Sequence, residues 1–312
     1  MFSFFKERII TLISVSLLAL TASLSLNGQN KYHNEITITS DNDNYDFIRK
    51  DRYYTFGQSI GYNKLLSEQN KLKSIISFKL GVEAYTPYSK LYRKKRNYDR
   101  PYAGFSYLSV NYSQALSKKL VSIGLKLGAI GKHSYAENIQ IATHALFGVH
   151  QPVGWHTQIN NHVGLNIQGS ISNELFRKSK VMIFNEINAE FGLLQNHIDV
   201  SPGVIIGRME GLHNSSYFGT SLGANKDDFI ESYWSFQIKG KLQFYDATIN
   251  GSFYDDDSYL TRSPSQFVFK LKTGYTYSRN FISMSFLWTF QTPETNASEF
   301  HTYGSIRVKF RF

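Results

Sequence analysis

The sequence predicts an all-β fold, a transmembrane antiparallel β-barrel of about twelve strands with one short helix in an extracellular loop. Three observations carry this expectation. Long segments alternate apolar with polar residues, aromatic side chains are abundant at 21 Tyr and 24 Phe, and an export signal is followed by no apolar run long enough for a membrane helix. A soluble β-sandwich also alternates, but its core favours aliphatic side chains, whereas aromatic residues suit the interfacial girdles of a membrane barrel.

The leader comes first. Lys6 and Arg8 precede an apolar run from Ile9 to Leu20, followed by small and polar residues to Gln29. A helix needs about 20 apolar residues to span a bilayer, so this shorter run reads as a signal peptide over residues 1–28. Residues 29–312 read as one barrel domain, since neither a repeat beyond the strand period nor a low-complexity linker divides them. With no helical span, only a closed barrel can satisfy the backbone inside a membrane.

The strands follow in order. Alternating segments lie around 34–41, 52–65, 74–87, 102–115, 119–131, 159–172, 180–193, 197–209, 231–246, 266–277, 281–291 and 301–312. In the third, Ile76, Phe78, Leu80, Val82 and Ala84 alternate with Ser77, Lys79, Gly81 and Glu83. In the ninth, Trp234, Phe236, Ile238 and Leu242 alternate with Ser235, Gln237, Lys239 and Lys241. The last places Gly304, Ile306, Val308, Phe310 and Phe312 on one side and Ser305, Arg307, Lys309 and Arg311 on the other. An even count puts both termini in the periplasm. Short turns at Leu116–Lys119 and Ser278–Asn280 are expected to alternate with longer outward excursions at 87–101, 132–158, 211–230 and 292–300.

One stretch breaks the period. From Ser134 to Gly148 the spacing predicts a helix, with Ser134 and Glu137 forming a capping box and Gly148 the stop. On a helical wheel Ile139, Ala142 and Leu146 share one side, while Glu137, Gln140 and His144 share another. One face can therefore pack while the other presents an imidazole and an amide together.

Charge and composition narrow the partners. The net charge is +10, and the leader carries Lys6, Glu7 and Arg8. A basic surface can mean nucleic acid, which an exported barrel seldom meets, so no nucleic-acid partner is expected, whereas the outer leaflet of a Gram-negative cell offers phosphorylated lipid. Arg93, Lys94, Lys95 and Arg96 are candidate phosphate contacts, with a solvated charge run as the competing reading. The absence of cysteine excludes disulfides and thiol catalysis. The cluster Asp41-Asn42-Asp43-Asn44 could hold a hard cation or simply form a turn. It is no EF-hand, since Arg52 stands where the bidentate glutamate belongs.

Motifs appear in a fixed order: Asn42-Asp43, Tyr54-Thr55-x-Gly57, Asp99-Arg100-Pro101-Tyr102-Ala103-Gly104, Leu127-Gly-Ala-Ile-Gly131, Gln140-x-x-x-His144 and Trp155-x-x-Gln158. In that order and spacing they resemble the outer-membrane lipid A 3′-O-deacylase family over about residues 35–165. The resemblance implies a twelve-stranded outer-membrane barrel whose catalytic rim removes the 3′-linked acyloxyacyl group of lipopolysaccharide, using Ca²⁺ and a histidine-activated water. It implies His144 as general base, Asn42 and Asp43 as the polar and metal-binding positions on the first strand, Thr55 as their neighbour, and Gln140 as a support. The sequence departs from the family pattern at His150, where an acid is expected, and in a short segment between Asp43 and Thr55. The barrel is read as a monomer.

The implied chemistry is consistent with the residues. A neutral imidazole can take a proton from water, and positive charge at the carbonyl oxygen stabilises the oxyanion. A serine hydrolase of the outer-membrane phospholipase kind is the enzymatic rival, although Ser134 reads as a cap. A porin or adhesion barrel, with the helix as a plug, is the non-enzymatic one.

Overall fold

The computed structural model describes residues 31–46, 52–69, 72–89, 98–148, 150–223, 230–254 and 257–312. The leader over 1–28 and the run Arg93, Lys94, Lys95 and Arg96 lie outside these residues.

Twelve antiparallel strands close into one barrel, each paired with its sequence neighbours and the first with the last. They are β1 (Asn34–Asn42), β2 (Tyr53–Gln69), β3 (Leu72–Thr86), β4 (Ala103–Leu116), β5 (Lys119–Ile130), β6 (His162–Lys178), β7 (Val181–Gly192), β8 (Gln195–Arg208), β9 (Ile230–Asp246), β10 (Phe267–Arg279), β11 (Ile282–Gln291) and β12 (His301–Arg311). The seam runs from Glu35 opposite Arg311 to Asn42 opposite Gly304. It is extended by the Phe312 backbone, which accepts from the Asn34 N–H at 2.8 Å and donates to the Asn34 carbonyl at 2.9 Å.

The alternation read from the sequence becomes an inside and an outside. Leu80, Leu108, Leu127 and Leu165 follow one another in register across β3 to β6 and all face outward, exposed. Lys79, Lys126, Lys239, Lys241, Lys270, Lys272 and Arg307 line a lumen cavity of about 550 Å³ together with Glu83, Glu186, Glu190, Asp199 and Glu294. Apolar outside and charged inside is the reverse of a soluble core and the arrangement a lipid solvent selects.

One expectation is overturned. Residues 211–230 do not form an outward loop, because β8 runs toward the periplasm and its link to β9 must lie at that end. The described part of this link folds up into the barrel as a floor. Leu212 packs on Ala115 and Leu120, and Leu222 on Leu65, Ile75 and Tyr32. Charged side chains tie it down: Glu231 accepts from the Ser216 N–H at 2.9 Å and Ser215 Oγ at 3.1 Å, and Lys309 donates to the Ser216 carbonyl at 2.8 Å. The long outward loop that completes the opposite end is 247–266, which the sequence reading did not single out.

This floor predicts an electrical property. In planar bilayers the intact barrel should show no steady conductance, and replacing residues 211–223 with a short turn should open one while heat-modifiable gel migration, the sign of a folded barrel, is retained. Steady conductance from the intact chain would contradict the floor.

Candidate active site

The site begins with missing side-chain bulk on the outer surface of the wall. Ala84 and Gly104 lie opposite each other on β3 and β4 and face outward, alternating with the lumen-facing Glu83 and Tyr85. A Cβ at Gly104 would run into Ser134 Oγ and the Ala136 side chain. The small residues let a helix, α1 (Ala136–Phe147), settle directly on the exterior of the barrel at its outer end. Beneath it Ala136 packs with Phe56, Ala84, Tyr98, Tyr102 and Trp155 in one buried cluster.

The helix starts one residue later than the capping box requires. Ser134 ends a preceding 3-10 turn, where its hydroxyl donates to the Gly131 carbonyl at 2.6 Å, so Tyr135 becomes the N-cap with φ 58°. Glu137 accepts from Gln158 Nε2 at 3.0 Å. Gly148 does end the helix, in the left-handed region at φ 68°, with its N–H on the His144 carbonyl.

The face that packs is the polar one. Ala136, Gln140 and His144 are buried against the wall, while Ile139 and Ile141 are exposed. A wheel shows which residues share a side and not which side the tertiary structure takes. Here it takes the amide and the imidazole because hydrogen-bond partners wait for both. Gln140 Oε1 accepts from Trp155 Nε1 at 2.8 Å, and its Nε2 donates to Thr55 Oγ1 at 3.4 Å. Thr55 sits at a β-bulge between Tyr54 and Phe56, and its hydroxyl donates to the Ala84 carbonyl at 3.1 Å. His144 Nδ1 lies 2.8 Å from the His150 carbonyl. A carbonyl only accepts, so Nδ1 carries the proton and a neutral ring keeps its lone pair on Nε2. The backbone of residue 150 therefore orients the imidazole, whatever its side chain.

Asn42 ends β1 on the outward side, in register with Phe56 and one strand from Thr55. Its Oδ1 accepts from the Asn44 N–H at 2.8 Å, as in an Asx turn. Asp43 is buried at 1% exposure, and its Oδ2 accepts from the Arg52 N–H at 2.8 Å. Five of the sequence-derived positions, Asn42, Asp43, Thr55, Gln140 and His144, thus belong to this outer rim. Among the described residues no group of three or more His, Cys, Asp or Glu side chains is placed to hold a metal. The donors at the rim are nevertheless hard oxygens. A carboxylate offers about four lone-pair positions, so the bond from Arg52 leaves Asp43 capacity for a cation, with the Asn42 amide beside it.

The residues that brace the site went unassigned in the sequence, although their motifs were visible. Trp155 and Gln158 hold Gln140 and Glu137. Arg100, fully buried, donates to Glu294 at 3.1 Å and to Thr248 Oγ1 at 3.0 Å, and its guanidinium lies 4.0 Å over the Tyr85 ring. Asp99 accepts from Tyr53 Oη at 2.6 Å and the Tyr88 N–H at 2.9 Å. Three outer loops are joined there.

A profile of the outer membrane protein LpxR family matches residues 11–312. The chain belongs to that family. It is an outer-membrane barrel whose helix-bearing end faces outward from the cell. Among solved structures, LpxR from Salmonella typhimurium is similar with a TM-score of 0.74 at 18% identity, covering 89% of this chain and 100% of that one. The β-domain of the Bordetella autotransporter BrkA reaches 0.48 at 8% identity, covering 90% and 99%. The translocator domain of NalP from Neisseria meningitidis reaches 0.47 at 9%, covering 97% and 96%. No curated protein matches the chain.

The brace shared by this LpxR-family rim has a pH signature. Burial pushes the Glu294 carboxyl up, but Arg100, Lys270 and Lys241 outweigh it and hold the group at about 2. A depressed folded value means the stabilisation is present above the unfolded value near 4.3 and is lost as pH falls through about 2. The unfolding temperature of the parent in detergent should therefore fall as the pH is lowered from about 5 to about 2. Glu294→Gln should unfold more easily at pH 7, by about 3–5 kcal/mol for an Arg left unpaired, and lose that part of the acid dependence. An unchanged acid profile in Glu294→Gln would contradict the brace.

Proposed function

We propose that this protein is a lipid A 3′-O-deacylase, an esterase that removes the 3′-linked acyloxyacyl group of lipopolysaccharide in the outer leaflet. The observation that carries the reading is the Gln140–His144 face of α1, pressed onto the exterior of the wall with the His144 Nδ1 proton held on the His150 carbonyl, which leaves Nε2 as the basic nitrogen. Membership of the LpxR family and the ordered motifs around that face support the same reaction. The barrel floor and the outward position of the site count against a porin. Ser134 spends its hydroxyl on the Gly131 carbonyl, which counts against it as a nucleophile.

The residues perform hydrolysis as follows. The His150 carbonyl fixes the imidazole with its proton on Nδ1, Nε2 takes a proton from water, and the water oxygen attacks the ester carbonyl. As the tetrahedral adduct collapses, the imidazolium returns the proton to the sugar 3′-oxygen, and the acyloxyacyl chain leaves as a carboxylic acid. Gln140 and Thr55 fix the helix against β2, so that the base stays at a set distance from the wall. Asp43 and Asn42 would hold Ca²⁺, which when bound supplies positive charge for the developing oxyanion. Arg93, Lys94, Lys95 and Arg96 are proposed to meet the lipid A phosphates, a contact that Arg makes in bidentate fashion. The functional unit is proposed to be the monomer.

Two measurements test the reading. His144→Ala should lower the deacylation rate on purified lipid A by about 10²–10⁴-fold with heat-modifiable migration unchanged; a well-folded variant with parental activity would return His144 to a structural role. Asp43→Ala should need about tenfold more Ca²⁺ for half-maximal rate, and a chelator should silence the parent. Full activity of the parent in excess chelator would remove the metal from the mechanism.

A further inference from the structure

Helix α1 is polar toward the protein and apolar away from it. A loop helix bathed in water has the opposite arrangement. The outward arc carries Tyr135 at 68%, Ile139 at 37% and Ile141 at 39% exposure, with Ala142 and Ala145 also exposed and Asn138 in the first turn the one amide among them. Thr143 lies on the exposed side too, but its hydroxyl donates back to the Ile139 carbonyl at 2.8 Å. That bond satisfies the hydroxyl within the helix and needs no water, as it does in membrane helices. Lys132 and His133, both exposed, stand just before the helix, where long cationic side chains reach the headgroup layer.

The position of the helix matches this polarity. It sits on the lipid-facing side of β3 and β4, over Ala84 and Gly104, on the same outward surface as the exposed row Leu80, Leu108, Leu127 and Leu165. Tyr112, exposed at 40%, lies on β4 nearer the periplasmic end. With about 3.4 Å of rise per residue and a strand tilt of about 40°, Gly104 stands about 20 Å above Tyr112, within an apolar band about 25 Å tall.

We propose that the outward face of α1 is a membrane-contact surface, solvated by acyl chains of the outer leaflet. The helix then lies at the edge of the hydrocarbon as an interfacial helix whose polar side is shielded by the barrel. Its occupant is the lipid itself, because the face adjoins the lipid-contacting wall, with Ser106 as the one outward residue of β4 between Gly104 and Leu108. The Gln140–His144 face is thereby enclosed between wall and leaflet, and a substrate reaches it sideways from the lipid. The surface stands on geometry and polarity and is independent of the reaction assigned to the site.

The chain has no cysteine, so single reporters can be introduced cleanly. Ile139→Cys, Ile141→Cys and His133→Cys, each carrying an environment-sensitive fluorophore, are reconstituted in vesicles of phosphatidylcholine with phosphatidylglycerol. Nitroxide on the lipid acyl chains should quench the labels at 139 and 141 several-fold more than aqueous iodide does, with the order reversed at 133. Iodide quenching at 139 and 141 equal to that at 133 would overturn the proposal. A functional arm uses the unlabelled double variant I139D/I141D. Its hydrolysis of lipid A embedded in vesicles should fall by about tenfold or more, while hydrolysis of lipid A dispersed in detergent stays at the parental rate. Equal losses in both states would overturn the proposal as well. If the deacylase reading alone is wrong, the quenching pattern still appears, so the two failures are distinguishable.

Discussion

Inside hydrocarbon every backbone N–H and C=O needs a protein partner, and the pairing of β1 with β12 is what supplies the last set. Once the sheet closes, the alternation of side chains has only two destinations. Apolar residues such as Leu80 and Ile238 go to lipid, and Lys239, Glu186 and Arg307 go to the lumen. The site then has to be built outside this wall or on its rim. The candidate site lies outside, where Ala84 and Gly104 leave room for a helix.

Rigidity at that rim comes from residues far apart in sequence. Arg100 and Glu294 are 194 positions apart, yet their ion pair fixes the strand ends that carry the helix. A buried pair of this kind contributes little net stability compared with an apolar pair, but breaking one half leaves a charge stranded. Its value here is positional. Tyr53, Asp99 and Thr295 extend the same network, with Tyr53 Oη also accepting from the Glu299 N–H at 2.8 Å. The periplasmic end uses the same device, with Glu231, Lys73 and Lys309 pinning the floor. Both ends of the barrel are thus closed by polar networks, and in the wall between them lumen pairs such as Lys126–Glu190 and Lys239–Asp199 add to the ladder.

Much of this was legible in the sequence because a barrel strand advertises both of its faces. Strand ends were read to within a few residues in most cases, and β12 face by face. The helix and its stop at Gly148 were legible from period and glycine. Its start was not, because the local competition between a 3-10 turn and a capping box for the Ser134 hydroxyl is decided by the Gly131 carbonyl. Nor was its orientation, since amphipathicity does not say what solvent each side meets. The floor was misplaced outward although the even strand count already sent that link to the periplasm. Gln140, His144 and Thr55 were singled out through ordered motifs, whereas the contacts of Arg100, Trp155 and Gln158 needed their partners across the fold to be seen.

The central claim is that a histidine base held between wall and helix cleaves one ester of the lipid beside it. Mass spectrometry of lipid A from cells with and without the intact gene tests it most directly. The account predicts that the intact gene yields lipid A lighter by the mass of the 3′-linked acyloxyacyl group, with the other acyl chains retained. Identical lipid A masses in the two strains, or loss of a chain from another position, would contradict it.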